Sequence, residues 1–124
     1  MKNLIIEETQ DTPKIILDKV NGIFEVSGRS LPENAVSFFA PILKWLEEYA
    51  TAPNQTTNFE FKLDYFNSAS AKKIVEIISA LEKLAEKKYP TVITWYYSLD
   101  DELIKNRGME MSEMSEIPFE VRSY

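Results

Sequence analysis

Small hydroxyl side chains mark the point where a predicted strand gives way to a helical pattern, in the tetrapeptide NSAS at 67–70. Asn and Ser oxygens accept hydrogen bonds from the free N–H groups of a helix's first turn, so helix capping accounts for these residue types. A second interpretation is a phosphoacceptor hydroxyl, because such junctions are usually exposed and the helix N-terminus stabilises an anion. Lys72 would then pair with a phosphate on Ser68, whereas Asp64 would oppose it. The two interpretations are compatible, because a capping serine can also be modified.

Carboxylates are the other side chains that could do chemistry. Asp100, Asp101 and Glu102 form an acidic run at the start of a predicted helix, where the helix dipole and water satisfy it. The run lacks the spaced oxygen ligands and the Gly of a calcium loop, and no second acidic cluster offers a catalytic partner. We therefore expect no metal site and no cofactor, and we assign no catalytic residue.

The composition excludes several classes of protein. The chain has no Cys and no His, which removes disulfides, cysteine nucleophiles, Cys/His zinc sites and Ser-His-Asp triads. Its formal net charge of −6 disfavours nucleic acid and anionic membranes as partners. No stretch approaches ~20 apolar residues, and the opening MKNLIIEETQ is not typical of a signal peptide. We expect a cytoplasmic protein.

Several segments of the sequence have the pattern of β-strands, both near the N-terminus and later in the chain. Two β-rich runs flank the NG pair at 21–22, which predicts an antiparallel hairpin with a type I′ turn, and NLIIEE adds an N-terminal strand. In the strand predicted at 57–66, alternation places Phe59, Phe61, Leu63 and Tyr65 on one face. Further strands are predicted at 91–98 and in the closing IPFEVRSY, where a Pro indicates an edge.

Three helices are predicted between these strands. The first spans 30–53, with Pro32 in its first turn and a kink at Pro41. Helical spacing predicts a core-facing stripe of Val36, Phe39, Leu43, Leu46 and Ala50. Its second apolar stripe contains Phe38, Ile42, Trp45 and Tyr49. That stripe is either core or an exposed docking patch. The next helix spans about 68–88, and the third begins near an Asp cap and is disturbed at Gly108.

These elements describe one domain of residues 1–124 in the order β-β-β-α-β-α-β-α-β. We predict an α+β fold, an α/β sandwich with a mixed β-sheet. One-sided alternation in the strands indicates that the helices pack mainly on one face of the sheet and that water reaches the other.

Five short motifs, each present once, are distributed along nearly the whole chain. They are TQDTP (9–13), GRSLPEN (28–34), LDYFNSAS (63–70), ITWYYSLDDE (93–102) and IPFEV (117–121). Together their order and spacing resemble the SiaC family of bacterial regulatory phosphoproteins and, more distantly, the STAS domain of anti-sigma factor antagonists. The resemblance implies a STAS-like fold and a non-enzymatic switch.

The resemblance implies that one Ser or Thr, at the start of the helix after a central strand, is phosphorylated. The kinase belongs to the histidine-kinase-like ATPase superfamily and acts on Ser/Thr. A PP2C-type phosphatase reverses the modification. The unmodified protein binds and activates a diguanylate cyclase, which links the switch to cyclic-di-GMP and biofilm formation. The acceptor, a Thr directly after an Asn, matches Ser68 after Asn67 here, with Ser70 as the fallback acceptor. Tyr65 and Asn67 are similar to the family's junction, and a further motif is the PEN segment at 32–34.

The leading hypothesis is thus a phosphorylation-controlled protein–protein interaction module. Ser68 is the acceptor, Asn67 shapes the turn, and Lys72 with the helix dipole accommodates the phosphate. Glu33 and Asn34 of the PEN segment are further candidate binding residues. Two alternatives remain open: a small acidic enzyme or ligand-binding domain, and a structural assembly subunit that dimerises through the stripe containing Phe38 and Trp45.

Overall fold

Strands and helices alternate along most of the chain, after three consecutive strands at the start. The computed structural model describes all residues from 1 to 124. Its elements are β1 (Leu4–Ile6), β2 (Lys14–Asp18), β3 (Ile23–Ser30), α1 (Ala35–Tyr49), β4 (Thr57–Phe66), α2 (Ser68–Glu86), β5 (Thr91–Tyr97), α3 (Glu102–Met114) and β6 (Phe119–Ser123). The predicted order of elements is confirmed.

The six strands form one mixed sheet in the order β1-β2-β3-β4-β5-β6. The first two pairings are antiparallel and the remaining three are parallel. Each parallel pair is joined through a helix, because a parallel connection must cross from one end of the sheet to the other. As a result, the loops that follow β3, β4 and β5 all lie along one edge of the sheet, the one formed by the carboxyl ends of the parallel strands. The junction at 67–70 lies at this edge.

The hairpin between β2 and β3 is confirmed, but its predicted turn type is wrong. Asp18 pairs with Ile23, which leaves a four-residue loop rather than a two-residue turn. Gly22 alone in this loop has a positive φ, of 67°, whereas a type I′ turn requires positive φ at both central residues. The Asp18 carboxylate instead accepts hydrogen bonds from the backbone N–H and the side-chain amide of Asn21, at 3.0 and 2.7 Å.

The helices pack on one face of the sheet, as predicted. Phe24 of β3 contacts Tyr49 of α1 at a ring-centroid distance of 5.2 Å, and the indole N–H of Trp95 in β5 donates to the Ile104 carbonyl of α3 at 3.0 Å. On the opposite face the Tyr96 hydroxyl donates to the Glu60 carboxylate at 2.9 Å. The fold is therefore a layer of helices on a sheet whose other face is open. None of the helices is long and apolar enough to cross a membrane.

Helix α1 is shorter than the sequence predicted, and one of its predicted core residues is exposed. It begins at Ala35 after an Asn34 cap, so Pro32 and Glu33 precede it, and it continues past Pro41 without interruption. Val36, predicted to be core, is 63% exposed. Both apolar stripes supply core residues: Phe39 and Leu46 of the first stripe are buried, as are Ile42, Trp45 and Tyr49 of the second, and Phe38 is half-buried. The interpretation of the second stripe as an exposed dimer interface is therefore wrong, because Trp45 retains only 7% of its surface.

Helix α3 runs unbroken through Gly108, where a disturbance was predicted. Gly108 is buried, and a Cβ atom at this position would lie 2.4 Å from Cδ1 of Trp95. The glycine thus serves close packing rather than a break: the missing side chain lets the helix backbone approach the indole ring on the sheet.

Candidate functional site

A β-bulge reverses the exposure of the last residues of β4. Leu63 pairs with Gly28 and Tyr65 pairs with Arg29, so Asp64 has no partner and the register shifts. An unpaired residue reverses which face each later side chain takes. The prediction that Tyr65 shares a face with Phe59, Phe61 and Leu63 is therefore wrong: Tyr65 is 39% exposed, and its ring lies 5.8 Å from the Arg29 guanidinium carbon. Phe66 is buried in its place.

Capping at the start of α2 is performed by Asn67. Its side-chain oxygen accepts a hydrogen bond from the backbone N–H of Ser70 at 2.9 Å. Ser68 follows as the first helical residue, and it is exposed. Capping therefore accounts for Asn67 but not for Ser68, whose hydroxyl is exposed and makes no hydrogen bond within the protein.

Ser70 has a structural role. Its hydroxyl lies 2.8 Å from the Ser30 hydroxyl and donates to the Ser30 carbonyl at 3.0 Å. The same carbonyl accepts the backbone N–H of Asn67 at 3.1 Å. Ser70 has no exposed surface, so a kinase cannot reach its oxygen in the folded protein. These bonds fasten the start of α2 to the end of β3, and they leave Ser68 as the accessible serine of the pair.

A groove of about 710 Å³ opens beside Ser68 between α2 and α3. One side carries Ser68, Lys72 and Val75 of α2, spaced four and three residues apart along one helix face. The other side carries a matching stripe of α3, made of Leu103, Arg107, Glu110, Met111 and Met114. Tyr65 and Asn67 line the end of the groove next to Ser68. Four of the predicted site residues thus meet in one place.

Sequence reasoning did not single out Arg107. Its guanidinium contacts the Glu110 carboxylate at 3.1 Å, and both side chains are largely exposed. The helical spacing of Leu103, Arg107, Met111 and Met114 could have shown that they share a face. Nothing in that spacing showed that this face lies opposite Ser68, because the approach of two helices depends on the order of strands in the sheet.

Glu33 and Asn34 lie outside the groove. The Asn34 side chain accepts the backbone N–H of Ser37 at 3.1 Å and caps α1, while Glu33 is exposed. Their loop follows β3, the neighbour of β4, so it occupies the same edge of the sheet as Ser68. The structure therefore places the PEN segment at the same edge of the sheet as Ser68 but outside the groove.

The acidic run after β5 is used for helix initiation. The Asp101 carboxylate caps α3 by accepting the backbone N–H of Ile104 at 3.1 Å, and Asp100 accepts the Ser98 hydroxyl at 3.0 Å. No group of three or more acidic, His or Cys side chains has an arrangement that could hold a metal ion.

Three side chains with a shifted pKa lie away from the groove. Hydrogen bonds from Asn21 lower the pKa of Asp18. The hydrogen bond to the Glu60 carboxylate raises the pKa of Tyr96, and burial raises the pKa of Tyr124. The groove itself combines an exposed hydroxyl, two cations, the Glu110 carboxylate and apolar walls, which is an arrangement suited to binding a peptide surface rather than to proton transfer.

Comparisons with known proteins identify a family and similar solved structures. A family model described as "SiaC family regulatory phosphoprotein" matches residues 6–124. An uncharacterised protein of Pseudomonas aeruginosa (strain UCBPP-PA14) is 27% identical over 124 residues, which are 100% of this chain and 98% of that protein. The crystal structure of apo-SiaC from P. aeruginosa is similar with a TM-score of 0.88 and 29% identity, covering 98% of this chain and 99% of that one.

A second similar structure contains a partner. The SiaC chain in the crystal structure of the P. aeruginosa diguanylate cyclase SiaD in complex with its activator SiaC has a TM-score of 0.90 and 29% identity, covering 98% of this chain and 99% of that one. The family model covers nearly all of the sequence. On the strength of that match, this chain belongs to the SiaC family of regulatory phosphoproteins.

Proposed function

We propose that this protein is a phosphorylation-controlled interaction switch whose unmodified form binds and activates a diguanylate cyclase. Membership of the SiaC family supports a regulatory role, and a similar structure is described as the activator of a diguanylate cyclase in a complex with it. In this proposal the chain carries out no reaction of its own. Its output is the binding of a partner, and Ser68 controls that binding.

The observation that carries the proposal is the free, exposed hydroxyl of Ser68 at the edge of a largely apolar groove. Asn67 already provides the helix cap, so modification of Ser68 leaves the capping hydrogen bond in place. A phosphate adds about −1.5 to −2 charges at neutral pH. A partner that buries this edge would have to desolvate that charge, and binding would weaken accordingly.

The resemblance supplies the two enzymes that would set the switch. A Ser/Thr kinase of the histidine-kinase-like ATPase superfamily would transfer the γ-phosphoryl group of ATP to the Ser68 oxygen, releasing ADP and the hydroxyl proton. A PP2C-type phosphatase would return the hydroxyl with water and release inorganic phosphate. Because the donor is ATP, we place this exchange in the cytoplasm.

Phosphate transfer tests the acceptor. The protein is incubated with ATP and a kinase of this superfamily and then weighed by intact-mass spectrometry, where we expect one added phosphate. Ser68→Ala should accept none. Ser70→Ala is the matched control and should still accept one, since its hydroxyl is buried. A full phosphate shift on Ser68→Ala would show that the acceptor lies elsewhere.

Cyclase binding tests the output. The full chain with serine or with genetically encoded phosphoserine at position 68 is titrated into a diguanylate cyclase such as SiaD, and cyclic-di-GMP production is followed. The serine form should bind and activate, and the phosphoserine form should bind at least tenfold more weakly, an effect of about 1.4 kcal/mol. Equal affinity of the two forms would contradict control by charge.

A further inference from the structure

We infer that the groove beside Ser68 is a receptor for the phosphate of Ser68 itself, with Arg107 of α3 and Lys72 of α2 as its two cationic ligands. This inference rests on the proposed phosphorylation of Ser68. It adds an intramolecular binding site in which a residue of α3 contacts a phosphate carried by α2. Modification would then tie the two helices together across the groove.

The fold places the two cations at similar depths. Helices α2 and α3 both start at the sheet edge where β4 and β5 end, and both cross back over the same face. Lys72 is four residues beyond the start of α2, and Arg107 is five beyond the start of α3, or about 6 and 7.5 Å along each axis. Both line the groove that Ser68 lines, so their long side chains extend within reach of its entrance.

Both cations are available to a new anion. The ion pairs of the chain involve Lys73, Arg107 and Arg122, so the Lys72 ammonium is free. Arg107 is paired with Glu110, but the two side chains are 46% and 60% exposed, and such a pair contributes little because solvent screens it. A phosphate close to dianionic offers three acceptor oxygens and can bind the guanidinium through two parallel hydrogen bonds. Arg107 can therefore exchange Glu110 for the phosphate at small cost.

The consequence concerns the groove as a docking surface. Its walls include Val75, Leu103 and Met114, which are exposed apolar side chains in the unmodified protein. A phosphate bound between Arg107 and Lys72 would occupy the entrance and hold the two walls at a fixed separation. Phosphorylation would then act in two ways, by adding charge at the rim and by filling the space that an apolar partner segment would enter.

The test measures the phosphate directly, without a kinase or a partner. The full chain with encoded phosphoserine at 68 is titrated by ³¹P NMR, which follows the second ionisation of the phosphate, ordinarily near pH 6. An arginine in contact favours the dianion, so the pKa should be lower in this protein than in Arg107→Gln, by about 0.3 to 0.7. Arg107→Lys should recover part of the difference.

Arg122→Gln is the matched control. Arg122 is also an exposed arginine paired with a glutamate, but it lies on β6 and its side chain is on the open face of the sheet. Its replacement removes the same charge and should leave the phosphate pKa within about 0.1 of the parent value, because intervening solvent screens it. Equal pKa values in the parent and Arg107→Gln, or equal shifts from Arg107→Gln and Arg122→Gln, would overturn the inference.

Failure of this inference is distinguishable from failure of the proposed function. If phosphoserine weakens cyclase binding but its pKa is independent of Arg107, the switch stands and the intramolecular receptor is wrong. If the pKa of the phosphate depends on Arg107 but cyclase binding is the same with serine and with phosphoserine, the intramolecular receptor is supported. The proposed control of the cyclase is then wrong.

Discussion

Replacement of Gly108 with Ala tests how closely α3 packs on the sheet. A Cβ atom at this position would lie 2.4, 2.6 and 2.8 Å from three atoms of the Trp95 indole, where carbon atoms ordinarily rest about 3.5–4.0 Å apart. The indole cannot easily move, because it is fully buried against the rings of Phe61 and Phe66 and its N–H is bonded to the Ile104 carbonyl. Helix α3 must therefore shift outward by about 1 Å.

Two opposing effects set the magnitude. Alanine favours a helix over glycine by about 0.8–1 kcal/mol, whereas overpacking of a well-filled core costs about 1–3 kcal/mol. Because Trp95 is enclosed, we take the upper part of that range and expect a net loss of about 1–2 kcal/mol. For a chain of 124 residues this corresponds to a melting temperature lower by about 4–8 °C.

Urea unfolding followed by circular dichroism, together with thermal melts, measures the effect. Asn106→Ala is the matched control, because Asn106 is exposed on the same helix and should gain a few tenths of a kcal/mol from helix propensity alone. In a Trp95→Phe background, which lacks the indole nitrogen 2.6 Å from the new Cβ and has a smaller ring that can give way, the cost of Gly108→Ala should shrink. A Gly108→Ala protein stabilised by about 1 kcal/mol would refute the close packing of α3, since propensity alone would then explain the result.

Two further predictions concern local contacts. Asn67→Ala removes the cap of α2 and should lower stability by about 1 kcal/mol in urea unfolding, whereas Asn67→Asp should retain most of it; an unchanged Asn67→Ala midpoint would contradict the capping role. Hydrogen bonds from Asn21 lower the pKa of Asp18, so their stabilisation is present above the unfolded pKa near 3.9 and is lost as pH falls through the lower folded value. Urea midpoints measured from pH 5 to pH 2 should therefore fall less steeply for Asp18→Asn than for the parent, and equal slopes would show that Asp18 makes no such contribution.

The packing of α3 on the sheet also affects the proposed site, because this helix forms one wall of the groove. Its position depends on Gly108 and on the hydrogen bond from Trp95 to Ile104, neither of which contacts Ser68. A variant that displaces α3 would alter the distance between Arg107 and Ser68 without changing either residue. Gly108→Ala should thus weaken the contact between a Ser68 phosphate and Arg107.

Local patterns in the sequence were sufficient for the elements and for the junction. Alternation of apolar residues identified β4, the spacing of Ile and Leu identified α2, and the Asn and Ser residues at 67–70 marked the helix start. Each of these signals depends on neighbours two to four residues apart, whose relative directions the local backbone conformation sets. These three predictions therefore agree with the structure, whereas the turn type at 21–22 and the start of α1, also predicted from local patterns, were wrong.

What the sequence determined by itself is the order of elements, the mixed sheet with helices on one face, and a hydroxyl-bearing strand-to-helix junction. Tertiary structure alone decided that a bulge opposite Gly28 and Arg29 exposes Tyr65, that Ser70 is buried against Ser30 forty residues away, and that Arg107 faces the groove. These features arise from strand register and from helices that meet across the sheet. Such contacts join residues far apart in the chain, and no local spacing encodes them.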